Sequence, residues 1–223
     1  MLLKQVTLFV GLIGWSFGLQ AQSHGSVTLI LKPFVISKTN KELILRLEEY
    51  PIYQDANEQE KELLYWTNFA RLFPKLFCEN IVIPFIQSQP STKGSNTASL
   101  IKELRKNKPL PFLVPDYRLT QAARFHSSDL ANHPTFLSHD GSNGESYYDR
   151  MTRFNINGCS AENIAYGKKG VLQNLVLLYL DIGVPGLGHR KNLMNTSFSQ
   201  IGVGIKEYWK TEEMVVMDFG GCE

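Results

Sequence analysis

The sequence carries none of the common catalytic signatures. It has no G-x-S-x-G turn to expose a serine, no H-E-x-x-H helix for zinc and no glycine-rich phosphate loop. Ser138 does precede His139, but neighbours on an extended segment point to opposite faces, so the two are not a nucleophile and its base. Neither sign of charge dominates: 23 Lys and Arg face 21 Asp and Glu, scattered along the chain, for a formal charge of +2. That balance leaves no nucleic-acid footprint. Beyond the N-terminus there is no second long apolar run, so no stable transmembrane segment is expected after processing. Cysteine is scarce, with Cys78, Cys159 and Cys222 only, and none sits just after the first apolar run, which argues against a lipid-anchored lipoprotein. No internal repeat is visible.

What is present starts with an export signal. Lys4, an apolar run from Val6 to about Leu19 and small residues near Ala21 give the charge, core and cleavage layout of a signal peptide over residues 1–21. The expected location is therefore secreted, extracellular or periplasmic, where disulfides persist. Three cysteines leave one over. Cys159 with Cys222 is the favoured pair because each borders a segment assigned to the core, and three buried free thiols stand as the alternative.

Residues 22–56 read as an N-terminal extended arm, since the β-rich stretch Ser26 to Lys38 is broken by Pro33. Asn57 with Glu60 predicts a capped helix with one buried face through about Phe77. The polar tract Ser88 to Ser99 reads as a surface loop. Further helices are predicted from Ala98 to about Lys106, from Pro115 to near Pro134, from Gly144 to Phe154, and over the strongly apolar Val171 to Ile182. The period then changes, and Ile201–Ile205 with Met214–Phe219 predict an antiparallel pairing in which glycines admit a closely packed helix. Helices first and strands late imply an α+β fold.

Three ionisable side chains sit beside turn residues. His139 precedes Gly141, Asn143 and Gly144; Glu162 lies in a segment that reads as buried; His189 follows a glycine- and proline-rich bend. They are expected to converge in one cleft. His126 and His133 lack such punctuation and read as packing or surface residues.

These stretches, Leu119 to Ala131, Leu137 to Asn143, Arg150-Met151, Glu162 to Gly167, Gly188 to Asn195 and Ile201 to Ile205, taken in that order, resemble the bacterial branch of the CAP (SCP) family over about Gln59 to Gly221. The resemblance implies a CAP domain over residues 57–223, an α-β-α sandwich with a small antiparallel sheet flanked by helices, and an extracellular location. It also implies a cleft of two histidines and two acids able to take a divalent metal: His139, Glu162 and His189, with Asp181 standing where the second acid usually follows a tryptophan that is missing here. Such a nitrogen and oxygen set suits zinc at roughly 2.0–2.2 Å, and serves equally as a metal-free hydrogen-bonded network. The function expected is an extracellular module binding an apolar, lipid-like ligand or a protein partner. The alternative is a metal-dependent, peptidase-like hydrolase acting on peptide or envelope material. Val171 to Ile182 with Tyr147 and Tyr148 are candidates to wall an apolar groove, although stripes at that spacing are most often core.

Overall fold

The protein is described by a computed structural model over residues 32–168, 170–208 and 212–222. The expected signal peptide and residues 209–211 lie outside the described residues.

Ten α-helices and four strands follow one another among the described residues. They are α1 (Lys41–Glu48), α2 (Pro51–Gln54), α3 (Glu58–Leu72), α4 (Pro74–Phe77), α5 (Ile83–Ser88), α6 (Ser95–Lys106), β1 (Val114–Pro115), α7 (Tyr117–Asn132), α8 (Tyr147–Arg153), β2 (Ala161–Lys168), α9 (Val171–Leu180), α10 (Gly188–Met194), β3 (Gln200–Tyr208) and β4 (Glu212–Gly220). The sheet order is β1-β3-β4-β2. Ile201 pairs with Phe219 and Ile205 with Val215, so the predicted strands form the central antiparallel pair, while the two-residue β1 joins β3 in parallel.

Period two divides this sheet into two faces. One face packs against the large core shared with α3 and α9, through Ile201, Val203, Ile205, Val215, Met217 and Phe219. The other receives α7, and the reason is steric. A Cβ on Gly202 would overlap the backbone of Leu119 and Thr120, and one on Gly204 that of Ala123 and Arg124. Only a bare strand lets the helix backbone come this close. The result is a sheet between helical layers, an α+β sandwich.

The N-terminal region departs from the sequence reading. Residues 32–39 carry no regular structure, but 41–48 and 51–54, read as part of an extended arm, are helical. Asn40 caps α1 by accepting from the Leu43 amide. The Gln89 side chain grips the Lys32 backbone from both sides, accepting from its N–H (3.0 Å) and donating to its carbonyl (2.7 Å). That use buries Gln89, and with Thr92 and Thr97 also buried, the tract read as a surface loop is partly interior. Asn57 and Glu60 form the expected capping box on α3, but burial runs around that helix from Leu63 to Arg71 and is not confined to one face. Asn68 tolerates this because backbone carbonyls take its amide N–H groups, and Arg71 because carbonyls take its Nε and Nη1, although its Nη2 has no partner among the described residues. Cys159 and Cys222 are bridged, tying the approach to β2 to the exit of β4, and Cys78 is a buried free thiol.

Candidate functional site

Glu162 is the hub. It lies on β2, on the α7 side of the sheet, and is fully buried with no ordinary carboxylate solvation. Its Oε1 meets His139 Nδ1 at 2.8 Å, and its Oε2 accepts from Arg150 Nη2 at 2.6 Å. Arg150, on α8 and fully buried, also donates from Nη1 to the main-chain carbonyl of His139 (2.9 Å), so one guanidinium fixes the acid and the loop that carries the histidine. Turn chemistry holds that loop in place. Asp140 accepts from the Tyr147 amide, and Asp129 of α7 accepts from the Ser142 amide and hydroxyl.

Two further groups complete the cluster. His126 of α7 is wholly buried; its Nε2 meets the Ser138 carbonyl at 3.0 Å and lies 3.8 Å from Glu162. Asp218 faces Glu162 directly across the β2–β4 pair. With both acids ionised, neither Asp218 oxygen has a hydrogen-bond donor among the described residues. A proton held between Asp218 and Glu162 supplies one and removes the repulsion of two adjacent carboxylates. Burial pushes Glu162 up to about 7, Arg150 pulling the other way, and pushes Asp218 well above the carboxylate range with Glu162 adding to the rise. Burial also lowers His139 to about 4, with the charges of His189 and Arg150 adding to it, and lowers His126 to about 3, aided by Arg150. Both rings are neutral at physiological pH.

Asp181 and His189 form the second half. Asp181 terminates α9 in the left-handed conformation (φ 50°), which turns its side chain toward the next helix. Its Oδ1 lies 2.6 Å from His189 Nδ1 and its Oδ2 accepts from the Arg190 amide at 2.9 Å. Arg190 is buried and binds the Tyr179 carbonyl, the Ser99 hydroxyl and the Asn96 carbonyl, locking α9, α10 and α6 together. Asn163, the neighbour of Glu162, points to the other side of the strand. It donates to the His189 carbonyl and accepts from Asn192. The strand bearing Glu162 thus also anchors the helix bearing His189. The two rings are near enough for a charge on His189 to oppose one on His139.

The four residues expected as metal ligands therefore resolve into two carboxylate–imidazole pairs, His139 with Glu162 and His189 with Asp181. All four carboxylate oxygens lie against N–H groups or ring nitrogens of the chain. In this arrangement the acids orient rings, as partners behind metal-bound histidines do. Among the described residues no group of three or more His, Cys, Asp or Glu is placed to hold a metal.

Sequence reasoning missed Asp218 and the roles of Arg150 and His126. Asp218 left a usable signal: it interrupts an alternating apolar run on the face shared with Met214 and Val216, and a charge in such a position is a buried charge. The apolar helix weighed as a groove wall or as core is core. α9 is buried along its length except at Leu177, and Tyr147 is buried while Tyr148 is exposed.

Comparison with known proteins gives the family. The profile of the cysteine-rich secretory protein family (CAP) matches residues 98–219. The uncharacterised protein YkwD of Bacillus subtilis is 31% identical over 121 residues, covering 54% of this chain and 45% of that protein. Among solved structures, an extracellular SCP-domain protein of Bacillus anthracis aligns with a TM-score of 0.46 at 22% identity over 81% of this chain and 49% of that one. An outer surface protein of Borrelia burgdorferi aligns with a TM-score of 0.43 at 22% identity, covering 51% of this chain and 80% of that one. The chain spans about half the length of YkwD and of the Bacillus anthracis protein. With the profile covering more than half of its residues, from α6 through β4, the chain belongs to the CAP, or cysteine-rich secretory protein, family.

Proposed function

We propose that the chain acts outside the cytoplasm as a binding module whose His/acid cluster is a scaffold for the recognition surface beside it. The observation that carries this reading is the internal use of the cleft acids: Glu162 and Asp181 spend every carboxylate oxygen within the chain. Among the exposed side chains of the same region are two large apolar ones. Leu137, two residues before His139, and Tyr148, next to the buried Tyr147, are 44% and 57% exposed. Side chains of this kind bind apolar surface, either a lipid-like ligand or the apolar patch of an extracellular protein.

The test is a titration with a fluorescent long-chain fatty acid. Tyr148→Asp weakens binding by about tenfold through lost apolar contact, whereas His189→Ala changes it by about twofold or less. The hydrolase alternative predicts a different pattern, in which chelation and His189→Ala each abolish turnover of a peptide or glycan. That second pattern overturns the binding reading.

A further inference from the structure

Outside the family-matched region, the N-terminal helices line an open pocket of about 400 Å³. It is lined by Lys38 from the segment before α1, Ile44 and Glu48 from α1, Tyr53 from α2, and Glu58 and Lys61 from the first turn of α3. The volume falls in the range of small-ligand sites. We propose that this cavity binds a small zwitterion, a free amino acid or dipeptide, through its two ammonium and two carboxylate groups above a Tyr53 floor. The site is independent of the cleft described above.

Three observations support it. First, the rim carries two cations and two anions that are not neutralised as tight pairs; the one contact between them, Lys61 to Glu58, is 3.6 Å long, and the Glu58 side chain is 87% exposed. A ligand bearing both charges satisfies both sets, whereas a simple anion or cation satisfies one and is repelled by the other. Second, Tyr53 is only 3% exposed as a residue and its side chain lines the cavity. A phenol at the cavity floor offers an O–H to a ligand acceptor such as a carboxylate oxygen. Burial, with Glu48 and Glu58 adding, holds this phenol up at about 12, so it stays a neutral donor. Third, the rest of the frame is pinned. The Tyr65 hydroxyl accepts from the Thr39 and Asn40 amides, and Gln54 donates to the Glu48 carbonyl at 2.8 Å, so the segments bearing Lys38, Glu48 and Tyr53 are held in register.

The experiment titrates the full exported chain at low salt with L-alanine and with the dipeptide alanylalanine, reading the ring signals of labelled tyrosines. Saturable binding of at least one is expected, and the N-acetylated and C-amidated dipeptides bind at least about tenfold more weakly, each having lost one charge. Tyr53→Phe weakens the free ligand by about tenfold while the thermal midpoint holds. Lys61→Gln, at a partly exposed position, weakens the free dipeptide and leaves the C-amidated form unchanged, which reads the site even if the tyrosine variant folds poorly. Absence of saturable binding overturns the proposal. So does equal binding of free and blocked forms, or a response that both substitutions leave unaltered.

Discussion

Replacing Arg150 by Met tests the cluster at its centre. The substitution keeps the length of the side chain and removes the charge that contacts Glu162 at 2.6 Å and the His139 carbonyl at 2.9 Å. Both partners are buried, so water does not replace what is lost. Breaking one side of a buried ion pair costs about 3–5 kcal/mol. In this cluster the loss is tied to Glu162, and the double variant Arg150→Met with Glu162→Gln therefore recovers about 2 kcal/mol or more relative to additivity.

The pH dependence sharpens the test. In the parent protein, Glu162 has a folded value of about 7 against 4.5 unfolded, so it subtracts stability as pH rises from about 4.5 to about 7 and then levels off. Without Arg150 the folded value climbs further. The variant then keeps losing stability above pH 7, and its deficit widens by about 1.4 kcal/mol per pH unit until the new value is reached. In acid the deficit narrows, because Arg150 also depresses His126 and His139, and its removal lets both rings take up protons at less cost. Urea unfolding at pH 5, 7 and 8 measures each part. A cost below about 1 kcal/mol at pH 7, or a deficit that stays constant from pH 5 to 8, refutes the account of Arg150 as the counter-charge of this cluster.

Gly204→Ala places a methyl group against the α7 backbone at Ala123 and Arg124 and is expected to cost about 3 kcal/mol by chemical denaturation; an effect under about 1 kcal/mol would show that α7 shifts freely. The Cys159–Cys222 bridge closes a loop of 63 residues, so replacing both cysteines by serine lowers stability by about 4 kcal/mol, read as a fall in the urea midpoint that parent protein under reducing conditions reproduces. His126 at about 3 and His139 at about 4, against about 6.5 unfolded, withhold protons in the fold and so subtract stability as pH falls below 6.5; His126→Gln flattens the acid limb of the melting-temperature curve, and an unchanged limb contradicts its assignment as a buried neutral ring.

How much of this was legible in the sequence depended on whether the signal was local. The β3–β4 pairing was readable because period two and paired glycines are short-range patterns, and the glycines at 202 and 204 do admit α7. The capping box of α3 was readable for the same reason. The short helices at 41–48 and 51–54 were not. Pro51 lies between an Asn40-capped segment and a second turn, and tertiary contacts of Leu43, Leu47 and Tyr53 with the main core support helices that would be marginal alone. At the site, the histidines stood out through the turns around them. The partners of Glu162 did not, since Arg150, His126 and Asp218 come from α8, α7 and β4, and only the folded sheet brings them to one carboxylate.

The region before the family match bears on the cleft as well. Arg71 of α3 is wholly buried and donates to the Pro111, Leu193 and Asn195 carbonyls, the last two at the end of the helix that begins beside His189. Asn68, one turn earlier, accepts from the Leu113 amide and donates to its carbonyl, fixing the approach to β1. The same helix buries Leu63, Leu64, Trp66 and Phe69 in the core that holds Val203, Met217 and α9, each of these side chains contributing about 2 kcal/mol by transfer from water. Residues 98–219 alone would expose that face of the sheet and leave those carbonyls without their donors. The N-terminal helices are therefore part of the structure that positions α10, since Arg71 of α3 holds the Leu193 and Asn195 carbonyls at the end of that helix.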